Sequence, residues 1–213
     1  MSAPQSEQAL RISLGRLTPG SDVLDVGAGD GKHSRAFMEE GHVVTAVDLR
    51  PAPRWWPEQR LPVEQRWLRH SFPHGGILRR YDLVWCSHVL EHLPDVGASL
   101  GAMRDALGPD GLLAITVPPR KDAVVGGHRN LFNLGTLAYN LILAGFDCSR
   151  ASFGAYGYSL SAIVSADRLV PEELLDTLAH DHGDIERLYH CFPPEWNVRQ
   201  GFDGARVPSV RWG

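Results

Sequence analysis

The segment Val23-Leu24-Asp25-Val26-Gly27-Ala28-Gly29-Asp30-Gly31 constrains this chain more than any other. An apolar strand ends in an acid and runs directly into a glycine-rich turn, and a helix-forming stretch follows. A second apolar run, Val43-Val44-Thr45-Ala46-Val47, then ends in Asp48. A strand, a helix and a strand this close together require a right-handed parallel crossover. That places the glycine turn at the carboxyl edge of a parallel sheet.

The same alternation continues. Residues 7–17 predict an amphipathic helix with Leu10, Leu14 and Leu17 on one face, stopped by Thr18-Pro19-Gly20. Strands are expected near 22–26, 42–47, 63–68, 81–86 and 112–117, and helices near 31–40, 95–107 and 133–144. Gly108-Pro109-Asp110-Gly111 has the residues of a tight turn. Segments 147–154 and 158–166, meeting near Gly157, predict an antiparallel hairpin on one edge. Pro171 opens a helix expected to reach about 181, and the last thirty residues read as irregular. The whole is expected to be one α/β domain over 1–213. Its core is expected at about 20–166, flanked by an N-terminal helix (7–17) and a C-terminal helix and tail (167–213).

Composition narrows the classes. The net charge of −4 gives no general attraction to nucleic acid or membranes. No apolar run approaches the roughly 20 residues of a bilayer span. Met1 to Gln8 is polar and lacks a secretory h-region, and Cys86, Cys148 and Cys191 form no CxxC pair. The expectation is a cytoplasmic protein with reduced thiols.

Gly27 and Gly29 allow close backbone approach to a ligand, and the next helix offers free N–H groups. A dinucleotide fingerprint would place a third glycine where Lys32 stands, and a pyrophosphate would be repelled by Asp25. A ligand with a sulfonium, an ammonium and a ribose diol but no phosphate suits this charge pattern. Asp48 is placed to accept from both ribose hydroxyls.

Asp25-Val26-Gly27-Ala28-Gly29-Asp30-Gly31 resembles the first motif of class I S-adenosylmethionine-dependent methyltransferases, and Val47-Asp48 their ribose-binding acid. Tyr81 to Leu93 is similar to the fourth-strand motif of the small-molecule branch. Leu107 to Leu113 is similar to the turn before the fifth strand. The resemblance implies a Rossmann-like seven-stranded sheet of order 3-2-1-4-5-7-6, strand 7 antiparallel, with helices on both faces. It implies that Asp25, Gly27, Ala28, Gly29, Asp48 and Leu49 hold S-adenosyl-L-methionine, with Cys86 and Ser87 lining its pocket. It departs from the family at Arg69-His70-Ser71-Phe72-Pro73, where many relatives carry an acid for the adenine amino group.

Methyl transfer from a sulfonium is an in-line displacement, in which the protein aligns a nucleophile and excludes water. A hydroxyl acceptor also needs a base, and histidine is the natural one near neutral pH. His128, in Val124-Val125-Gly126-Gly127-His128-Arg129-Asn130, is the first choice, with Arg129 as an anion contact and His92 as the second choice. His88 and His92 would share one face of a helix, as metal ligands can, but no metal is expected.

The expected acceptor is a small, polar, possibly anionic molecule, most simply a hydroxyl of a sugar or secondary metabolite. Arginines and tryptophans between 50 and 80 leave open a nucleic-acid methyltransferase, and the pocket alone leaves open a non-catalytic binding module. The aromatic tail from Cys191 to Gly204 either closes over the site or docks on a second subunit, in a possible homodimer.

Overall fold

The computed structural model describes residues 6–56, 66–69, 79–200 and 202–213, with the backbone alone at 66–69 and Gln200. The chain runs α1 (Glu7–Leu14), β1 (Asp22–Val26), α2 (Lys32–Glu39), β2 (Val43–Asp48), β3 (Arg66–Arg69), β4 (Tyr81–Ser87) and α3 (Val96–Asp105). It continues with β5 (Leu107–Val117), α4 (Leu134–Leu143), β6 (Ser152–Tyr156), β7 (Ser159–Ser165), α5 (Glu172–Leu175) and α6 (Asp184–Leu188). The strands form one sheet in the order β3-β2-β1-β4-β5-β7-β6. Strands β1 to β5 run parallel to one another, whereas β7 is antiparallel to β5 and to β6.

Period-two alternation sorts the strand side chains onto two faces. Leu83 and Trp85 of β4 join Val23, Phe37 and Ala9 beneath α1 and α2. Val84 and Cys86 point the other way, among Leu24, Val26, Leu100, Leu137 and Leu141 beneath α3 and α4. The central strands are apolar on both sides because helices cover both faces.

The turn chemistry at 108–111 does not end a helix before a separate strand. It lies within β5, where Tyr81 pairs with Leu107 but Leu83 pairs with Leu112, so four residues of β5 loop out opposite Asp82. Gly111 is required there, because a Cβ would stand 2.8 Å from the Tyr81 carbonyl oxygen. α1 is shorter than expected and is closed at Gly15, although Leu10, Leu14 and Leu17 still pack on the sheet.

The helix expected from Pro171 to 181 stops at Leu175. His180 takes a left-handed backbone at φ 59°, and the buried Asp184 carboxylate accepts from the Ala179 N–H, which holds a turn where a helix would continue. Beyond α6 the tail is irregular but anchored. Phe192 and Trp196 are buried against α4 and β6, and Trp196 packs on Phe153. Val210 and Phe153 exchange both backbone hydrogen bonds, and Trp212 stacks on Tyr156. The tail therefore covers the outer edge of β6 in its own chain. An unpaired strand edge invites association, and this edge is closed.

Candidate functional site

The carboxyl ends of β1, β2, β4 and β5 converge. At β1 the chain turns through Gly27 (φ 72°), Gly29 (φ 66°) and Gly31 (φ 77°), a left-handed backbone that side chains disfavour. The Val47 carbonyl accepts from the N–H groups of Gly27 and Ala28, and Asp48 Oδ2 accepts from Gly29 N at 2.8 Å. The loop is thus sewn to the end of β2. It also packs tightly below, since a Cβ on Gly27 would lie 2.1 Å from Val89 Cγ2.

Asp48 stands where the sequence put it, with its side chain largely sheltered. Its Oδ1 already accepts from Arg50 N (2.8 Å) and Arg50 Nε (3.3 Å). A carboxylate has about four lone-pair sites, so the loop and Arg50 leave about one. A ribose diol needs two, and the exposed Arg50 side chain is the partner that can swing away. Leu49 is exposed at the mouth of the site.

Asp25 differs from its expected role. It is 2 % exposed, on the α2 side of β1, and accepts a 2.5 Å hydrogen bond from Ser34 Oγ. Burial, chiefly, raises its pKa to about 7, with the Ser34 bonds opposing and nearby Asp48 assisting. The carboxylate pins α2 beneath the glycine turn rather than opening toward a ligand. Cys86 is likewise fully buried among the core side chains, and burial pushes its thiol well above the ordinary range. Ser87 is half-buried at the strand end, and its Oγ lies 2.6 Å from Ser6 Oγ, so α1 begins directly over this edge.

The histidines do not share a helix face. His88 takes a left-handed backbone (φ 56°), and only a single 3-10 turn, Leu90–His92, follows. Both rings instead flank the buried Glu91, whose Oε1 lies 3.5 Å from His88 Nδ1 and 3.7 Å from His92 Nε2. The loop after β5 folds back onto this turn. The Glu91 carbonyl accepts from Arg129 N (2.8 Å) and Asn130 N (3.1 Å), and the Asn130 amide donates to Leu93 O. His92 Nδ1 lies 2.8 Å from the Gly127 carbonyl oxygen, which only accepts, so the network assigns the proton to Nδ1. His92 and His128 then meet edge to face, with ring centroids 5.0 Å apart.

Two cavities border this loop. Arg129 lines one of about 470 Å³ with Asp95, Phe132 and Asn140. The other, about 290 Å³, lies between Pro119, Arg120 and Leu160 and the tail residues Ala205 and Val207. Asn133 caps α4 in a reciprocal box with Thr136, so Asn130 is free for its clamp on Leu93. Of the 50–80 segment, Trp56 is buried, and Trp55 donates to the Asp30 carbonyl with Arg35 above its ring. Residues 57–65 and 70–78 of that patch, including the His70 to Pro73 stretch where many relatives carry an adenine-binding acid, lie outside the described residues.

The sequence reading passed over Glu91 as the pivot, together with Ser34, Val89 and Arg50. The Glu91-His92 pair was visible, but nothing local indicated that its carbonyl anchors residues 129 and 130.

The family model described as a methyltransferase domain matches residues 6–149. The chain is 30% identical over 109 residues to the ubiquinone biosynthesis O-methyltransferase of Haemophilus ducreyi, covering 46% of this chain and 45% of that protein. It is 34% identical over 120 residues to the enzyme of the same name from Xanthomonas campestris pv. campestris, covering 54% and 48%. It thus spans about half the length of these curated relatives. Among solved structures it resembles the 1,6-didemethyltoxoflavin-N1-methyltransferase of Burkholderia thailandensis, with 27% identity and a TM-score of 0.64 over 75% of this chain and 76% of that one. That structure holds 1,6-didemethyltoxoflavin and S-adenosylhomocysteine.

Proposed function

This chain belongs to the class I S-adenosylmethionine-dependent methyltransferases, and from that premise we propose that it carries the donor's methyl group to a hydroxyl of a small polar acceptor, with histidine taking the proton. The observation that carries the reading is the meeting of His92 and His128 in the loops that follow β4 and β5, the former loop packing Val89 against Gly27 of the glycine turn. A base in that position reaches an oxygen aligned with the donor methyl.

Gly27, Ala28 and Gly29 give the cofactor a close backbone surface, and Asp48 takes a ribose hydroxyl. Ser87 and Leu49 bound the pocket, while Asp25 and Cys86 support it from below. With Nδ1 of His92 protonated, its Nε2 is the basic nitrogen. His128, less exposed than His92, is the first candidate to receive the proton. Arg129 and Arg120 line the two neighbouring cavities and suit an acceptor bearing a carboxylate or phosphate. The O-methyltransferase relatives support oxygen as the acceptor atom.

Nitrogen is the second reading, favoured by the likeness to an N1-methyltransferase. An amine of low basicity would use the same histidines. The experiment is a panel of hydroxylated and amine acceptors incubated with labelled donor, with products resolved by mass spectrometry. Labelled oxygen ethers support the first reading, labelled amines alone the second. Failure to form demethylated donor with any acceptor would instead favour a binding module.

A further inference from the structure

Glu91, His92 and His128 bring three ligating atoms within 4.8 Å of one another. Glu91 is 1 % exposed, and its Oε2 has no hydrogen-bond partner among the described residues. Leaving a buried carboxylate oxygen unmet is costly unless another group neutralises it. Its Oε1 faces His92 Nε2, the nitrogen that carries the lone pair because Nδ1 donates to the Gly127 carbonyl. Two electron pairs directed at one space repel unless a cation, a metal ion or a proton on Nε2, stands between them, and His88 Nδ1, 3.5 Å from Oε1, leaves Oε2 unmet. A histidine whose other N–H is held by a backbone carbonyl is also how metal-ligating imidazoles are oriented.

We propose that Glu91, His92 Nε2 and a ring nitrogen of His128 bind one divalent transition-metal ion, contrary to the expectation from sequence that no metal is held. Two nitrogen donors and one oxygen select zinc, cobalt or nickel over magnesium or calcium. The Glu91 carbonyl bonds to Arg129 and Asn130 hold the two histidine-bearing segments in register, so the site is assembled by the fold. If, as proposed above, these histidines act as the base, the ion occupies the lone pairs that the base needs. Loading then silences methyl transfer, a consequence that rests on that reading.

The test is titration of the metal-stripped protein with Co2+ alone, followed by visible absorption. The expected result is one equivalent bound with the ligand-field bands of a nitrogen-ligated site, displaced by Zn2+. His92→Ala and His128→Ala should each weaken binding at least tenfold, and Glu91→Gln should do the same while matching wild type in circular dichroism. Should Glu91→Gln fail to fold, the two histidine variants, on less buried side chains, carry the test. Absence of a one-to-one complex, or wild-type affinity in both histidine variants, overturns the site. Activity separates the two proposals: tight Co2+ binding with undiminished turnover leaves the site standing and removes the histidine base.

Discussion

His92 and His128 stand edge to face, 5.0 Å between ring centroids, although α3 and β5 separate them along the chain. Hydrogen bonds from the second segment to the Glu91 carbonyl add two backbone anchors to the His92–Gly127 contact, so the loop keeps those anchors when either ring is replaced.

His128→Ala is expected to lower kcat by about a hundredfold or more, the usual worth of a positioned base, with cofactor affinity nearly unchanged. His92→Ala should give a smaller loss. Steady-state kinetics paired with calorimetry of the demethylated donor checks both. Full turnover in His128→Ala removes the base assignment.

Asp48→Ala is expected to weaken cofactor binding about tenfold or more, because it removes a charged acceptor and loosens Gly29. Arg50→Ala should bind at least as well as wild type, since the Oδ1 lone pair held by Arg50 Nε is released. A tenfold loss in that variant would make Arg50 a cofactor contact instead. Calorimetry distinguishes the cases.

Gly27→Ala places a Cβ 2.1 Å from Val89 Cγ2 at a positive φ. Backbone strain and overpacking together predict a loss of about 3 kcal/mol in urea unfolding. Adding Val89→Ala should relieve the overpacking and leave the backbone share. Equal stability of the single and double variants would show that Val89 is not the obstacle.

The raised pKa of Asp25, about 7 against 3.8 as a reference, means that the folded state holds more protons than the unfolded chain between roughly pH 4 and 7. Stability contributed by the neutral acid is full below pH 4, declines as pH rises through that window, and is level above it. Asp25→Asn should flatten this slope while still accepting from Ser34. Denaturant midpoints measured across the window decide it, and an identical slope in both proteins would assign the dependence elsewhere.

The glycine turn, the strand-end acids and the helices over both faces were legible because each is encoded locally. Period-two apolar runs mark strands, a glycine marks positive φ, and an acid ending β2 lies at a predictable edge. Asp25 was misjudged for the same reason that the strand was read correctly. Alternation fixes that it faces opposite to Leu24 and Val26, but only the placement of Ser34 on α2 turns that direction inward. The tail was illegible because its aromatics have no period, and their partner, the edge of β6, is defined only once the sheet exists.

The sequence by itself determined the sheet, the donor-side loop and the list of histidines available at its carboxyl edge. Tertiary structure decided which of them meet. Ser87 and Thr116 pair across β4 and β5, which levels the two strand ends, and the loops beyond them then close on the Glu91 carbonyl. Rings 36 positions apart are brought edge to face by that register and closure, and no local pattern of residues encodes either.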